Sequence, residues 1–170
     1  MPQSRAPLLM PPEGRRWSGA SNGRRIDPYK QLGKLAAPAV CPQCGAIYRS
    51  GRWQWGPRLA DAQETICQAC HRGNDNCPAG IVTLTGSFVR ANRAEIARIA
   101  DEQGLAEKRE RPANRIIGID QGGDEVVITT TDIQLPHRIG AAMLRTFQGT
   151  LDHHFDGADY LMRVNWHRDA

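Results

Sequence analysis

What this chain lacks narrows its chemistry before any motif is read. None of its apolar runs approaches the ~20 residues that a membrane-spanning helix needs. Only Leu8-Leu9-Met10 stands where a secretory signal would carry a longer apolar core, so the expectation is a soluble, intracellular protein. No P-loop or dinucleotide fingerprint occurs, which leaves an ATPase or nucleotide-dependent oxidoreductase reading without support. The 170 residues hold one moderate domain, or a small module plus a domain near ~100 residues. Cysteine is scarce, five in all, yet four of the five fall into two pairs.

Those pairs are Cys41-Pro42-Gln43-Cys44 and Cys67-Gln68-Ala69-Cys70, with 22 residues between them. A lone CxxC would leave a redox dithiol as a rival. Two at this separation favour four thiolates converging on one structural Zn²⁺. Pro42 and Gly45 supply the turn-forming residues that such a knuckle needs, and a reducing compartment keeps the thiols available for metal. The spacing therefore predicts a zinc ribbon over residues 29–78, too short to fold on apolar burial alone. Four sulfurs would fill a tetrahedral site and leave no position for substrate; the functional alternative is a redox switch that ejects the metal. Cys77 lies outside both knuckles and is not counted as a ligand.

Charge is uneven. Of the formal +4, residues 1–40 carry seven cations against Glu13 and Asp27, a net of +5, so the remainder sums to −1. This stretch is rich in Pro, Gly, Ser and Arg and shows no sustained periodicity, which predicts a disordered basic arm over residues 1–28. Arg15, Arg16, Arg24 and Arg25 suit attraction to a phosphate backbone; a solubilising arm without a partner is the alternative.

From Gly80 onward the pattern is that of a second domain, residues 79–170. Residues 81–88 read as a strand, and Asn92 with Glu95 as a capping box opening a helix that Gly104 would close. Residues 115–120 and 125–130 read as a hairpin around Gln121-Gly122-Gly123-Asp124. Asp132 caps a second helix with Leu135, Ile139, Ala142, Met143, Thr146 and Phe147 on one face and Gly149 at its end. After a polar loop, residues 161–167 alternate as a last strand. The order β-α-β-β-α-β predicts a ferredoxin-like α+β domain of four antiparallel strands backed by two helices.

Several of these residues carry a resemblance. Cys41 to Tyr48, Gly51-Arg52-Trp53, Cys67 to Cys70, Pro78-Ala79-Gly80, Thr129 to Asp132, Arg138-Ile139-Gly140, Phe147-Gln148-Gly149 and Arg163 to Trp166 are similar to a bacterial two-CxxC zinc-ribbon family, over about residues 28–168. More distantly similar is the ribosome-bound nonsense-mediated decay protein three, an export adaptor of the large ribosomal subunit with paired CxxC motifs. The resemblance implies Cys41, Cys44, Cys67 and Cys70 as zinc ligands and implies no catalytic residue.

Other candidates compete with plainer readings. His153, His154 and Asp156 could bind a second metal or share a proton, yet match no HExxH-type pattern and suit a solvated loop. Thr129-Thr130-Thr131-Asp132 suits helix capping. His137, Arg138, Arg145 and Gln148 form a stripe that is solvated by default but could follow phosphates. Among the open-face positions Thr83, Thr85, Ser87, Arg163, Asn165 and His167 there is no aromatic residue, so the stacking platform of an RNA-recognition sheet is missing. Trp53 or Trp55 could stack instead, beside Arg49, Arg52, Arg58 and Arg72 on the ribbon surface. The leading expectation is a non-catalytic, zinc-stabilised adaptor for structured RNA associated with the ribosome. A dimerising module with a structural zinc is the rival, and a metal-dependent enzyme comes third.

Overall fold

The computed structural model describes residues 27–30, 35 and 38–170. Arg15, Arg16, Arg24 and Arg25, and with them residues 1–26 of the basic-arm expectation, lie outside the described residues; Asp27, also assigned to the arm, is described and pairs with Arg72.

The first module starts with β1 (Ala39–Val40), from which Cys41 to Gly45 turn back into β2 (Ile47–Arg49). Cys41 N donates to Ala46 O at 2.8 Å and Gly45 N to Cys41 O at 2.8 Å, with Gly45 at φ 81° closing the knuckle. A two-residue turn leads on to β3 (Arg52–Gln54). Its residues Ser50 and Gly51 sit at φ 54° and 80°, the pair of positive values that matches strand twist in a tight hairpin. After β4 (Gln63–Glu64), which lies parallel to β1, the chain enters α1 (Gln68–Asp75). The second CxxC is therefore the start of a helix, not a second β-knuckle, which corrects the ribbon expectation. The reason is local: Cys67 caps α1 through its own sulfur, and a spacing of three puts both sulfurs on one side of the first turn.

The second module comprises β5 (Gly80–Thr85), α2 (Ser87–Ala91), α3 (Arg93–Glu110), β6 (Ile116–Asp120), β7 (Val126–Thr130), α4 (Leu135–Phe147), β8 (Thr150–Asp156) and β9 (Leu161–His167). The sheet order is β6-β7-β5-β9-β8. Its core is Val82 and Leu84 with Val126, Ile128, Val164 and Trp166, packed under Ile96 and Ile99 of α3 and Ile139 and Met143 of α4. Two helices back the sheet as expected, but the sheet has five strands, and β9 runs parallel to β5 where an all-antiparallel ferredoxin-like order was anticipated. The segment read as a polar loop is β8. As an edge strand it buries little, so Asp152, His153 and His154 stay exposed while Leu151 and Phe155 pack against the core. A tight turn then lays β9 between β8 and β5.

Two helix expectations also shift. Residues 87–88 begin the short α2 rather than ending the first strand, and the Asn92 side chain donates to Phe88 O at 2.8 Å instead of capping α3. Gly104 does not end α3, which continues to Glu110; a Cβ there would meet Ile116 Cδ1 at 2.6 Å, so the glycine lets helix and strand approach. The Asp132 expectation agrees with the structure: its Oδ2 accepts from Gln134 N at 2.8 Å and Leu135 N at 2.9 Å.

α3 and α4 are cross-linked by a buried carboxylate. Glu107, 2% exposed, accepts from Asn114 and Arg111 at 2.9 Å each and pairs with Arg138 Nε at 3.0 Å. Burial pushes its pKa up, but Asn114, Arg111 and Arg138 outweigh it and hold the carboxyl below the ordinary glutamate value. A depressed folded pKa adds stability above the unfolded value that is lost as pH falls through the folded one. Glu107→Gln is expected to cost ~1–3 kcal/mol at neutral pH. That deficit should shrink in acid, as pH falls through the depressed folded pKa and the wild-type carboxylate also protonates. Urea unfolding at neutral and acid pH checks this; an equal deficit at the two would assign Glu107 no charge-dependent role.

Candidate metal centre

Each CxxC is shaped locally before the two meet. The first knuckle presents Cys41 and Cys44 from a backbone turn, and the second presents Cys67 and Cys70 from the N-terminus of α1. Backbone amides already point at sulfur: Cys67 N donates to Cys41 Sγ at 3.3 Å and Cys70 N to Cys67 Sγ at 3.4 Å. Reciprocal amide bonds between Gln43 and Asn74, 3.0 and 2.9 Å, tie the knuckle to the helix.

The four sulfurs all lie within 4.8 Å of one another, and Cys44 Sγ is 3.8 Å from Cys67 Sγ. A tetrahedral ion with metal–sulfur bonds of ~2.3 Å requires sulfur–sulfur separations of about 3.8 Å. The quartet could therefore hold one metal ion, and it is the only group of three or more such donors found among the described residues. Cys77, though buried, stands outside it. Burial pushes the Cys41 thiol up, but the amides of Cys67, Cys44 and Gln43 outweigh it and bring the pKa to about 7. Cys67 is raised, first by burial and then by the neighbouring sulfurs of Cys44, Cys70 and Cys41, despite the Cys70 amide. Four sulfurs this close repel one another as anions, and a divalent cation among them reverses that sign. On distance and donor chemistry, the residues fit such an ion.

The quartet does not stand alone. Arg115, immediately before β6 in the second module, places one guanidinium nitrogen 3.2 Å from Cys67 Sγ, 3.4 Å from Cys70 Sγ and 3.7 Å from Cys44 Sγ. A second tie between the modules runs from Trp55 Nε1 to Lys108 O at 2.7 Å. Between them opens a cleft of ≈ 670 Å³, which brings Tyr48, Arg52, Trp53 and Trp55 from the first module to face Arg109 and Arg111 at the end of α3. Trp53 stacks edge-on against Tyr48, ring centroids 5.4 Å apart, and its other side packs on the cysteine core.

The remaining candidates are dispersed. Arg49 and Arg52 are exposed, paired across the hairpin beside its turn. Arg58 pairs with Glu64 at 3.2 Å. Arg72, expected on the surface, is fully buried: it pairs with Asp27 at 2.5 Å, donates to Cys77 O at 3.0 Å and lies 4.3 Å from the centre of the Tyr29 ring. Arg138 is committed to Glu107, whereas Arg145 is exposed on the same helix. His153 and His154 point to opposite faces of β8, the former against the His137 ring at 4.9 Å. Asp156 Oδ1 accepts from Ala158 N and Asp159 N, so these three side chains do not converge on a shared ligand.

Sequence reasoning missed Arg115, Arg109, Arg111 and the Trp55–Lys108 tie. Their partners are distant along the chain, and the only local signal was the basic run at the end of α3. No helix among the described residues is long and apolar enough to cross a membrane. Searches of protein-family models, curated proteins and solved structures found no match to this chain.

Proposed function

We propose that this protein is a non-catalytic adaptor that binds structured RNA, with one Zn²⁺ as a structural cofactor and the ribosome as the RNA's setting. The cleft between the modules carries the reading. Its aromatic rings can take unpaired bases, and Lys30, Arg52 and Arg109 around it can take the phosphates between them. The four-sulfur set leaves no open coordination position for substrate, which supports a structural metal. The bacterial zinc-ribbon resemblance points the same way, and the basic arm would add phosphate contacts. The rival, a dimerising module, has the open edges β6 and β8 in its favour; Asp152, His153 and His154 along β8 are the polar residues that guard an edge against pairing.

Co-sedimentation with ribosomal subunits at low and moderate salt tests the reading. A truncation beginning at Asp27 should run alongside, because Asp27 holds Arg72 and must be kept. Expected are migration with one subunit, release as salt rises, and a shallower salt slope for the truncation. Arg52→Ala combined with Arg109→Ala should weaken binding of the full chain about tenfold or more. A 170-residue chain that stays at the top of the gradient at every salt concentration overturns the ribosomal assignment; a salt-resistant dimer free of nucleic acid would favour the rival.

A further inference from the structure

Half-buried Arg115 turns its guanidinium onto sulfurs in a way that ordinary packing does not require. Among the described residues no carboxylate lies within ion-pair distance of it, and its Nε is buried without a hydrogen-bond partner. The groups that its terminal nitrogen faces are the Cys44, Cys67 and Cys70 sulfurs, which a bound metal would hold as thiolates, so the metal-loaded quartet would be its counter-charge. Its backbone is equally fixed. Arg115 N donates to Thr131 Oγ1 at 2.9 Å, Thr131 N donates to Arg115 O at 2.9 Å, and Thr131 Oγ1 donates to Ala113 O at 2.7 Å. The last threonine of the Thr129-Thr130-Thr131 run thus holds the arginine from the second module, which accounts for a hydroxyl that helix capping does not need.

We propose that Arg115 is a positioning residue for the metal centre: anchored on Thr131, it fixes the Cys44, Cys67 and Cys70 sulfurs in their ligating arrangement and makes metal retention depend on the docking of the two modules. The proposal rests on the reading of the quartet as a metal site. A tetrathiolate site around a divalent ion keeps a net negative charge, and one guanidinium nitrogen shared by three sulfurs lowers that charge without displacing a ligand. Residues outside the ligand set that orient ligands in this way typically control metal affinity 10- to 100-fold. The dependence also runs in reverse. With the quartet empty, Arg115 loses its counter-charge, and the start of β6 loses a tie to the first module.

The test is zinc stoichiometry, followed by the rate of zinc transfer to a chromophoric chelator, for wild type, Arg115→Ala and Arg115→Lys. One zinc per wild-type chain is expected, with transfer roughly 10- to 100-fold faster from Arg115→Ala. Arg115→Lys should fall between them, because an ammonium keeps the charge but not the planar fork. Cobalt-loaded Arg115→Ala should also show a shifted sulfur-to-metal charge-transfer band, which a purely structural role would leave unmoved. A wild-type chain with no zinc overturns the metal reading and the proposal together. Zinc-loaded variants that transfer at the wild-type rate overturn the proposal alone.

If Arg115→Ala does not fold, the wild-type protein still decides. Chelation should accelerate amide exchange at Arg115 while Ile128, in the centre of the sheet, stays protected. Unchanged exchange at Arg115 overturns the proposal.

Discussion

Cys67→Ser should cost the first module its fold and leave the second standing. Cys67 does three things at once: it supplies a candidate ligand, caps α1 through its sulfur, and sits 1% exposed in a small core that, among the described residues, it shares with Cys41, Ala46, Ala69 and Cys70, with Cys44, Trp53 and Ile66 at its border. Such a core cannot repay the chain entropy of ordering some forty residues, roughly 1–2 kcal/mol each for the backbone. A structural metal supplies apparent binding energy on the order of 10–16 kcal/mol in small modules of this type. The expected result is a fall from one bound metal per chain to nearly none. Protease sensitivity should then appear between residues 38 and 77, with residues 80–167 still resistant. Cys77→Ala is the control, because that thiol stands outside the quartet and its loss should leave the stoichiometry unchanged. A Cys67→Ser protein that keeps its metal, or a first module that resists proteolysis after chelation, would refute this account of the module.

The second large effect belongs to the other core. Trp166 is fully buried in β9, sits edge-on to Phe88 at 6.3 Å, and donates its indole N–H to Gln148 O at 2.7 Å. Gln148 is itself in the left-handed region at φ 59°, and Gly149 follows at φ 97°, so the indole fastens an unusual exit from α4. Trp166→Ala removes the largest side chain of that core and orphans a carbonyl. The expected loss is about 3–5 kcal/mol, a fall in the thermal midpoint of the second module on the order of 15 °C or more. Below that transition the variant should still bind one metal per chain, because the quartet draws on a separate core. Calorimetry with metal analysis checks both halves, and a midpoint within a few degrees of wild type would mean that the cavity collapses at little cost.

How much of this was legible in advance depends on how local each signal was. The four cysteines could be read because CxxC spacing is a property of four consecutive residues, and the structure gathers the same four. The strands at 116–120, 126–130 and 161–167 and the helices α3 and α4 could be read because each repeats its apolar residues at its own period. β8 was hidden by Asp152, His153 and His154, whose polarity reflects an edge position that only the completed sheet creates. Arg72 looked like a surface cation because its partners Asp27 and Tyr29 lie more than forty residues away, and a buried guanidinium is a rarity that no local pattern announces. Arg115 was invisible for the same reason: it faces sulfurs that are 45 to 71 positions distant. The parallel pairing of β9 with β5 escaped because periodicity identifies a strand but not the direction in which its neighbour runs.

That pairing has a consequence in time as well as in space. β5 must wait for a neighbour 82 residues further along, since Gly80 pairs opposite Met162 and Thr85 opposite His167. All four candidate ligands, by contrast, have been made by residue 70. On a growing chain the metal module can therefore close early, while the sheet still has a gap between β5 and β8 that only residues 161–167 can fill. Pairings across such long sequence separations are slow to form. Until the strand arrives, the side of β5 that β9 covers in the finished sheet stands open as a hydrogen-bonding edge. The vulnerable period in this protein's life thus falls just before β9 is laid down, and a chain shortened there would be prone to pairing that open edge with a second copy.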